Sequence, residues 1–347
     1  MANLGYVQIT RRCNQQCVFC SNPPNGMILS LDQAKAYVDD LVGRDYDGVI
    51  LTGGEPTLFE PIAELVAYAK ERGLPSRIIT NGQKTARYEY LKSLADAGLT
   101  HLHLSIHSFK PEVHDYLTRT PGSLKKQFMS LENANKLGVI TDINCVINKH
   151  NAVHLHENVE YLLKHFPFLH HFVWNNLDPS MNPDVDLNDV LPRLRDFEVS
   201  LLKAMAFLER KGRSFRAERV PLCFMAEYAH CSTETRKIVK HEERVIHFLD
   251  QKQTFREFKF EHGKAEVCKI CRLNSVCAGL FRMGEFYNAS ELSPVFLDPD
   301  EVRRKVLGTK KNTEQNTSTK EPVTDETDYA RRQCGTPNEK GPACPKD

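Results

Sequence analysis

Between residues 6 and 177, short apolar runs alternate with longer amphipathic ones, about six times over. The runs at 6–10, 48–52, 76–80, 101–107, 141–148 and 172–177 are rich in β-branched, leucine or aromatic residues, which predicts strands. The helical patterns between them carry end signals. LDQAKAYVDDLV follows Ser30, a residue type that caps helix N-termini. EPIAELVAYAKERG, YEYLKSLADAG and SLKKQFMSLENANKLG stop at Gly73, Gly98 and Gly138, and HENVEYLLKHF is the fifth pattern. Strand followed by helix, repeated this often, predicts an α/β fold with a parallel sheet and right-handed crossovers. In such sheets and barrels the chemistry sits at the carboxyl ends of the strands.

The pattern changes after about residue 185. A long helical stretch at 188–211 leads into a cysteine-bearing segment at 221–281. The expected organisation is a core domain at 1–184, a smaller domain at 185–307 and a tail at 308–347. The tail has one aromatic residue and almost no aliphatic ones, too little apolar surface to order itself, so it is expected to be disordered. A net charge of +1 gives no global field for nucleic acid or an anionic membrane. No apolar run approaches the roughly 20 residues of a membrane helix, and no secretory signal stands at the N-terminus. The expected location is the cytoplasm, with no nucleic-acid or membrane partner.

Eleven cysteines are many for a reducing compartment, where clustered cysteines read as metal ligands. Cys13, Cys17 and Cys20 follow the first strand as C-x3-C-x2-C. Structural zinc is closed by four ligands, and no fourth Cys or His is near in sequence; His101 or a distant cysteine would have to complete such a site. Three thiolates on a [4Fe–4S] cube leave one iron open, and the missing ligand is then the working position. Next comes LTGGEPTL at 51–58, a strand running into Gly53, Gly54, Glu55 and Pro56. The bland reading is a strand-to-helix turn. Yet the triplet, with Phe19 just before its third cysteine, and this second stretch at the next strand end resemble the radical S-adenosylmethionine (SAM) superfamily.

That resemblance implies a partial (β/α)6 barrel of parallel strands. It implies a catalytic [4Fe–4S] cluster on Cys13, Cys17 and Cys20 whose open iron chelates the amino and carboxylate groups of SAM. One electron then splits the cofactor into methionine and a 5′-deoxyadenosyl radical. Gly53, Gly54, Glu55 and Pro56 match the family's GGEP motif, which hydrogen-bonds the methionine amino group; Glu55 can offer an acceptor to an ammonium. IITNG at 78–82 places Thr80 and Asn81 towards the site, and LHLSIHS at 102–108 places Ser105 near the cofactor ribose. Arg119 in HDYLTRTPGS is the candidate for the methionine carboxylate, with an exposed helix arginine as its plain alternative. Asn144 and Asn148 share a strand face by the period of two. Either can point at the cofactor, and each is equally a strand-end polar residue.

The second cluster, CKICRLNSVCAG, holds Cys268, Cys271 and Cys277 as C-x2-C-x5-C. Zinc competes here, since C-x2-C serves both metals. The arrangement is similar to the auxiliary-cluster domains of the SPASM and twitch type, which bring a further cysteine from upstream. Cys223 fills that role, with Cys231 as its rival. The position four residues after Cys277, cysteine in the full SPASM pattern, is Phe281. One auxiliary [4Fe–4S] cluster on Cys223, Cys268, Cys271 and Cys277 is therefore implied. Cys145 reads as a small buried hydrophobe, and Cys334 and Cys344 lie in the polar tail.

The resemblance implies a radical enzyme that takes its electron from a reduced ferredoxin or flavodoxin and abstracts a hydrogen atom from a substrate. Relatives with an auxiliary domain often modify peptides or proteins, which makes a peptide the leading expectation. A small molecule, as in cofactor biosynthesis, is the alternative. A non-catalytic iron–sulfur or zinc scaffold is a third reading, opposed by the incomplete triplet and the GGEP stretch.

Overall fold

A computed structural model describes residues 3–180, 182–242, 245–249, 254–256 and 261–308. Apart from Gly308, the expected tail with Cys334 and Cys344 lies outside the described residues. The six expected strands form as β1 (Leu4–Thr10), β2 (Gly48–Gly53), β3 (Ser76–Thr80), β4 (His101–Ser105), β5 (Ile140–Ile147) and β6 (His171–Asn176). They pair in parallel, each with the next in sequence. The crossovers carry α1 (Leu31–Gly43), α2 (Ile62–Glu71), α3 (Tyr88–Ala97), α4 (Pro111–Thr118) with α5 (Ser123–Lys136), and α6 (Leu155–His165).

Local chemistry explains several boundaries. Ser30 accepts the Gln33 N–H at 3.2 Å and the Gln33 side chain accepts the Ser30 N–H at 3.0 Å, a reciprocal cap that starts α1. Gly98, with φ of 110°, ends α3 in the left-handed region that a side chain would disfavour.

Beyond the six strands, β7 (Ser214–Glu218) pairs in parallel with β6, and β8 (Val245–His247) pairs in parallel with β1. An antiparallel β9 (Thr254–Arg256) flanks β8. The sheet order is β7-β6-β5-β4-β3-β2-β1-β8-β9, so the chain past residue 185 adds strands at both flanks of one sheet. These added strands are short, and the arginine and glutamate in β7 hide any apolar run.

The period of two sorts each strand's residues between two environments. Val7, Ile9, Leu102, Leu104, Ile143, Cys145, Phe172, Trp174, Phe215 and Ala217 are buried in the core under the helices. Their alternates Gln8, His103, Ser105, Asn144, Asn175 and Glu218 line a single inner cavity. Residues from β1 and β7, at distant places in the sheet order, can share a cavity only if the sheet curls, as in a partial barrel. Outside, past the short α7 (Leu187–Val190), α8 (Leu194–Arg210) lies on α6 and buries Leu194, Phe197, Leu201, Ala204, Met205 and Leu208 at helical spacing. Full burial of each larger side chain contributes about 1.5–3 kcal/mol. Among the described residues no helix is long and apolar enough to cross a membrane.

Candidate functional site

The inner cavity measures about 430 Å3 at the carboxyl ends of the strands, where Cys13, Cys17, Phe19 and Cys20 line it together with Gly53, Gly54, Asn81 and Ser105. These residues come from the connection after β1 and from the ends of β2, β3 and β4.

The cysteine loop is held on several sides. The Val18 N–H donates to the Leu117 carbonyl (2.9 Å) and the Cys20 N–H to the Cys17 carbonyl (3.1 Å). The Gln15 amide donates to the Ser123 hydroxyl (2.7 Å), and the Asn182 amide donates to the Cys20 carbonyl (2.8 Å). Arg11 is buried and donates to Asn22 Oδ1 (2.9 Å) and the Pro23 carbonyl (3.2 Å). Phe19 packs in a satellite core with Leu117, Leu177, Val185 and Val190, edge-on to His107 at 4.7 Å. The aromatic before the third cysteine therefore anchors the loop as well as lining the cavity.

Gly53 and Gly54 bring the end of β2 against this loop. The Gly54 N–H donates to the Thr10 carbonyl (2.7 Å) and the Glu55 N–H to the Arg12 carbonyl (2.8 Å). A Cβ on Gly53 would stand 2.1 Å from the Thr10 oxygen, and one on Gly54 would stand 2.4 Å from the Arg12 oxygen. The close approach expected towards a ligand is in this structure an approach to the chain's own backbone.

Glu55 is 1% exposed and caps the short turn Pro56–Leu58. Its Oε1 accepts from the Thr57 N–H (3.1 Å), the Thr57 hydroxyl (2.6 Å) and the Thr80 hydroxyl (2.6 Å), and Oε2 accepts the Asn81 N–H (2.7 Å). Burial pushes the carboxyl up, and these bonds oppose the rise. The side chain fastens the end of β2 to the end of β3, and Pro56 is buried in the same turn. The Asn81 amide reaches back to Asn14 Oδ1 (2.7 Å).

Other expected residues are placed elsewhere. Arg119 is exposed at the C-terminal end of α4 with φ of 47° and does not line the cavity. Asn144 does line it and accepts from the Asn175 amide (2.7 Å). Asn148 falls past the end of β5, where its side chain braces a turn through the Val146 carbonyl and the His150 N–H. His101 lines a different cavity, at the amino ends of the strands.

Arg219, just after β7, lines the cysteine cavity and was not singled out from sequence. Its guanidinium pairs with Asp178 (3.6 Å) and Glu218 (3.9 Å) and lies 5.2 Å over the Phe281 ring. A non-glycine residue at φ of 59° leaves no mark in a sequence pattern.

In the second cluster, Cys223, Cys268, Cys271 and Cys277 are half-buried and unbridged. Burial pushes the Cys223 thiol up to about 11, and Cys277 and Cys268 lie near enough to add to the rise. The charged neighbours of Cys231 are Arg216, Arg236, Glu209 and Lys305, not other cysteines. The Val295 N–H donates to Cys271 Sγ (3.3 Å), and the Tyr287 hydroxyl ties this segment to the Leu177 carbonyl (2.6 Å) beyond β6.

The first three cysteines are also unbridged. Burial pushes Cys13 up to about 11, with Glu55 and Cys20 adding to the rise. Burial raises Cys17 further, helped by Cys20 and Cys13, and raises Cys20 against the pull of Arg11. Thiols so placed are neutral alone; a soft cation deprotonates them on coordination. As positioned, no three His, Cys, Asp or Glu side chains among the described residues converge tightly enough to hold a single ion. Sulfurs around one zinc stand about 3.8 Å apart, whereas a cube spreads its ligands over separate irons. Three soft donors lining one open cavity fit such a cluster.

The family model described as "Radical SAM superfamily" matches residues 7–165. Fe-coproporphyrin III synthase of Methanosarcina barkeri is 33% identical over 148 residues, 42% of this chain and 37% of that protein. PqqA peptide cyclase of Rhodopseudomonas palustris is 32% identical over 161 residues, 45% of this chain and 42% of that protein. The chain thus spans about two fifths of the length of these curated relatives. The crystal structure of Streptococcus suis SuiB bound to SAM has a TM-score of 0.61 at 15% identity, covering 82% of this chain and 77% of that one, which shows a shared fold. Residues 7–165 are a radical SAM domain.

Proposed function

We propose that this chain is a radical SAM enzyme that removes a hydrogen atom from a substrate, with a peptide or protein as the favoured substrate. One observation carries the reading: three unbridged cysteines face a cavity at the carboxyl ends of a curled parallel sheet, beside the glycine pair that ends β2. Cys13, Cys17 and Cys20 would hold a [4Fe–4S] cluster, and Gly53, Gly54, Asn81 and Ser105 line the space beside them for SAM. When bound, the pair supplies a 5′-deoxyadenosyl radical that takes the hydrogen atom. The protein's part is position and exclusion of water. Glu55 and Pro56 hold the strand ends in register, and Phe19 seals one wall. Arg219 offers a guanidinium to an anionic group in the cavity, in the role expected of Arg119.

The segment 185–307 is proposed to carry an auxiliary [4Fe–4S] cluster on Cys223, Cys268, Cys271 and Cys277. The closeness of Cys268 and Cys277 to Cys223 supports that set over one with Cys231. A reduced ferredoxin or flavodoxin in the cytoplasm is the proposed electron donor. The peptide reading draws on the likeness to a peptide cyclase. The likeness to Fe-coproporphyrin III synthase favours a second reading, a small-molecule substrate.

Two cubes give about eight irons per chain. After anaerobic reconstitution, the variant with Cys13, Cys17 and Cys20 all changed to Ala should lose about half of them and all SAM cleavage. Release of 5′-deoxyadenosine by that variant would overturn the assignment.

A further inference from the structure

The barrel lumen does not end beneath the cysteine cavity. A second cavity of about 420 Å3 opens at the amino ends of the strands. Tyr6, Ile50, His103, Val173 and Glu218 line both cavities, so the two share a floor.

The second cavity is crowded with cations. Arg77 on β3, Arg216 on β7, and Arg236, Lys237 and Lys240 on α9 (Thr233–Lys240) face it, against the carboxyl groups of Asp142, Glu218 and Glu242. Lys240 is already paired with Glu242 at 2.9 Å. Arg77 and Arg236, both half-buried, make no side-chain hydrogen bond or ion pair among the described residues. Burial holds Arg77 below its ordinary value, with Asp142 and Tyr6 opposing. Burial and the charge of Arg236 bring Arg216 down to about 10.

At the floor, His103 is 8% exposed, and its Nε2 has no hydrogen-bond partner. Its Nδ1 stands 3.5 Å from Asp142 Oδ2. A buried ring nitrogen without a partner and half-buried guanidinium groups without a hydrogen-bonded partner both cost stability. Concentrated around one cavity, they mark the place where a ligand of opposite charge completes the set.

We propose that this second cavity binds an oxyanion group, a carboxylate or a phosphate, belonging to the molecule whose reacting end lies above His103 in the cysteine cavity. Arg77 and Arg236 supply forked donors matched to such a group, and His103 Nε2 offers a hydrogen-bonding nitrogen at the floor. The link to the reacting end rests on the proposed radical function. Binding of the oxyanion needs no cluster, and the test uses that separation.

The reconstituted full-length protein is titrated with inorganic phosphate and, separately, with glutarate at constant ionic strength in chloride, followed by calorimetry and thermal melting. At least one anion should bind saturably, phosphate pointing to a phosphorylated molecule and glutarate to a carboxylate. Arg77→Gln and Arg236→Gln should each weaken binding about tenfold or more, the effect of losing one charge-assisted contact. Lys125→Gln, outside both cavities, should change nothing. The variant lacking Cys13, Cys17 and Cys20 should bind the anion as the parent does, whatever becomes of the radical reading. Arg236 sits on α9, outside the sheet, so its variant keeps the test in force if the β3 variant fails to fold. Absence of saturable binding, unchanged affinity in Arg236→Gln, or loss of binding in the cysteine variant would each overturn the proposal.

Discussion

Changing Glu55 to Gln alters one atom of the side chain and reverses its hydrogen-bonding sense there. The native carboxylate accepts four hydrogen bonds, three at Oε1 and one at Oε2. Glutamine can accept at only one of the two positions. With its NH2 in the Oε2 place, it faces the Asn81 N–H. With the NH2 in the Oε1 place, it faces the Thr57 N–H, while the two threonine hydroxyls can rotate to accept. Either way one buried backbone N–H loses its partner, at about 1–3 kcal/mol, and the remaining bonds lose the extra strength of a charged acceptor, about 1 kcal/mol each. Relief from burying a charge offsets part of this. The net loss should be about 2–4 kcal/mol. With a urea dependence of about 3 kcal/mol per molar, the unfolding midpoint should fall by about 1 M. Urea titration of the reduced protein reads it directly, because the single tryptophan, Trp174, is 1% exposed in the core and reports global unfolding. Iron content after reconstitution should stay near that of the parent. A midpoint unmoved within about 0.2 M, together with SAM affinity reduced tenfold or more, would refute the reasoning and return Glu55 to direct ligand binding.

Two other perturbations follow from the same geometry. Gly54→Ala would place its Cβ 2.4 Å from the Arg12 oxygen; the cysteine loop must shift, at about 1–3 kcal/mol, and iron loading of the first cluster should drop, whereas full loading would show that the loop tolerates the displacement. Stability should also fall steeply in acid: His103 and His114 are held down to about 3 and about 4 by burial, and His107 well below its ordinary value. His107 and His114 accept backbone N–H groups through Nδ1, which protonation would break. Their folded values lie below the unfolded 6.5, so the stability they contribute is present above pH 6.5 and lost as pH falls, at about 1.4 kcal/mol per pH unit for each. Asp142, raised to about 6 by burial, works in the opposite sense and is lost as pH rises through about 6. These three rings and Asp142 alone contribute a slope near pH 5 of about 3 kcal/mol per pH unit, and a urea midpoint level between pH 7 and pH 5 would contradict the burial of these rings.

The periodic text of the chain determined the parallel core. Alternating short and long patterns located six strands, and residue spacing put Cys13, Cys17 and Cys20 after the first strand and Gly53 and Gly54 at the end of the second. These are local matters, decided by propensity and period within a few residues, and they survive folding because each strand end stays where its own segment puts it. What the chain could not disclose is which side chains meet across strands. The period of two joined Asn144 with Asn148, but only the place where β5 stops sends the first to the cavity and the second to a turn. A guanidinium was expected at Arg119; the chain reversal after β7 brings Arg219 to the cavity from a hundred residues further along. Glu55 reads as a free acceptor until Thr80 and Asn81, delivered by the neighbouring strand, take up its oxygens. His101 and His103 look alike in sequence, yet in the curled sheet one lines the amino-end cavity alone and the other lies on the floor between two cavities. Closure of a curled sheet is a sum of many weak long-range contacts, and it, not any local preference, decides which polar residues are left facing one another inside.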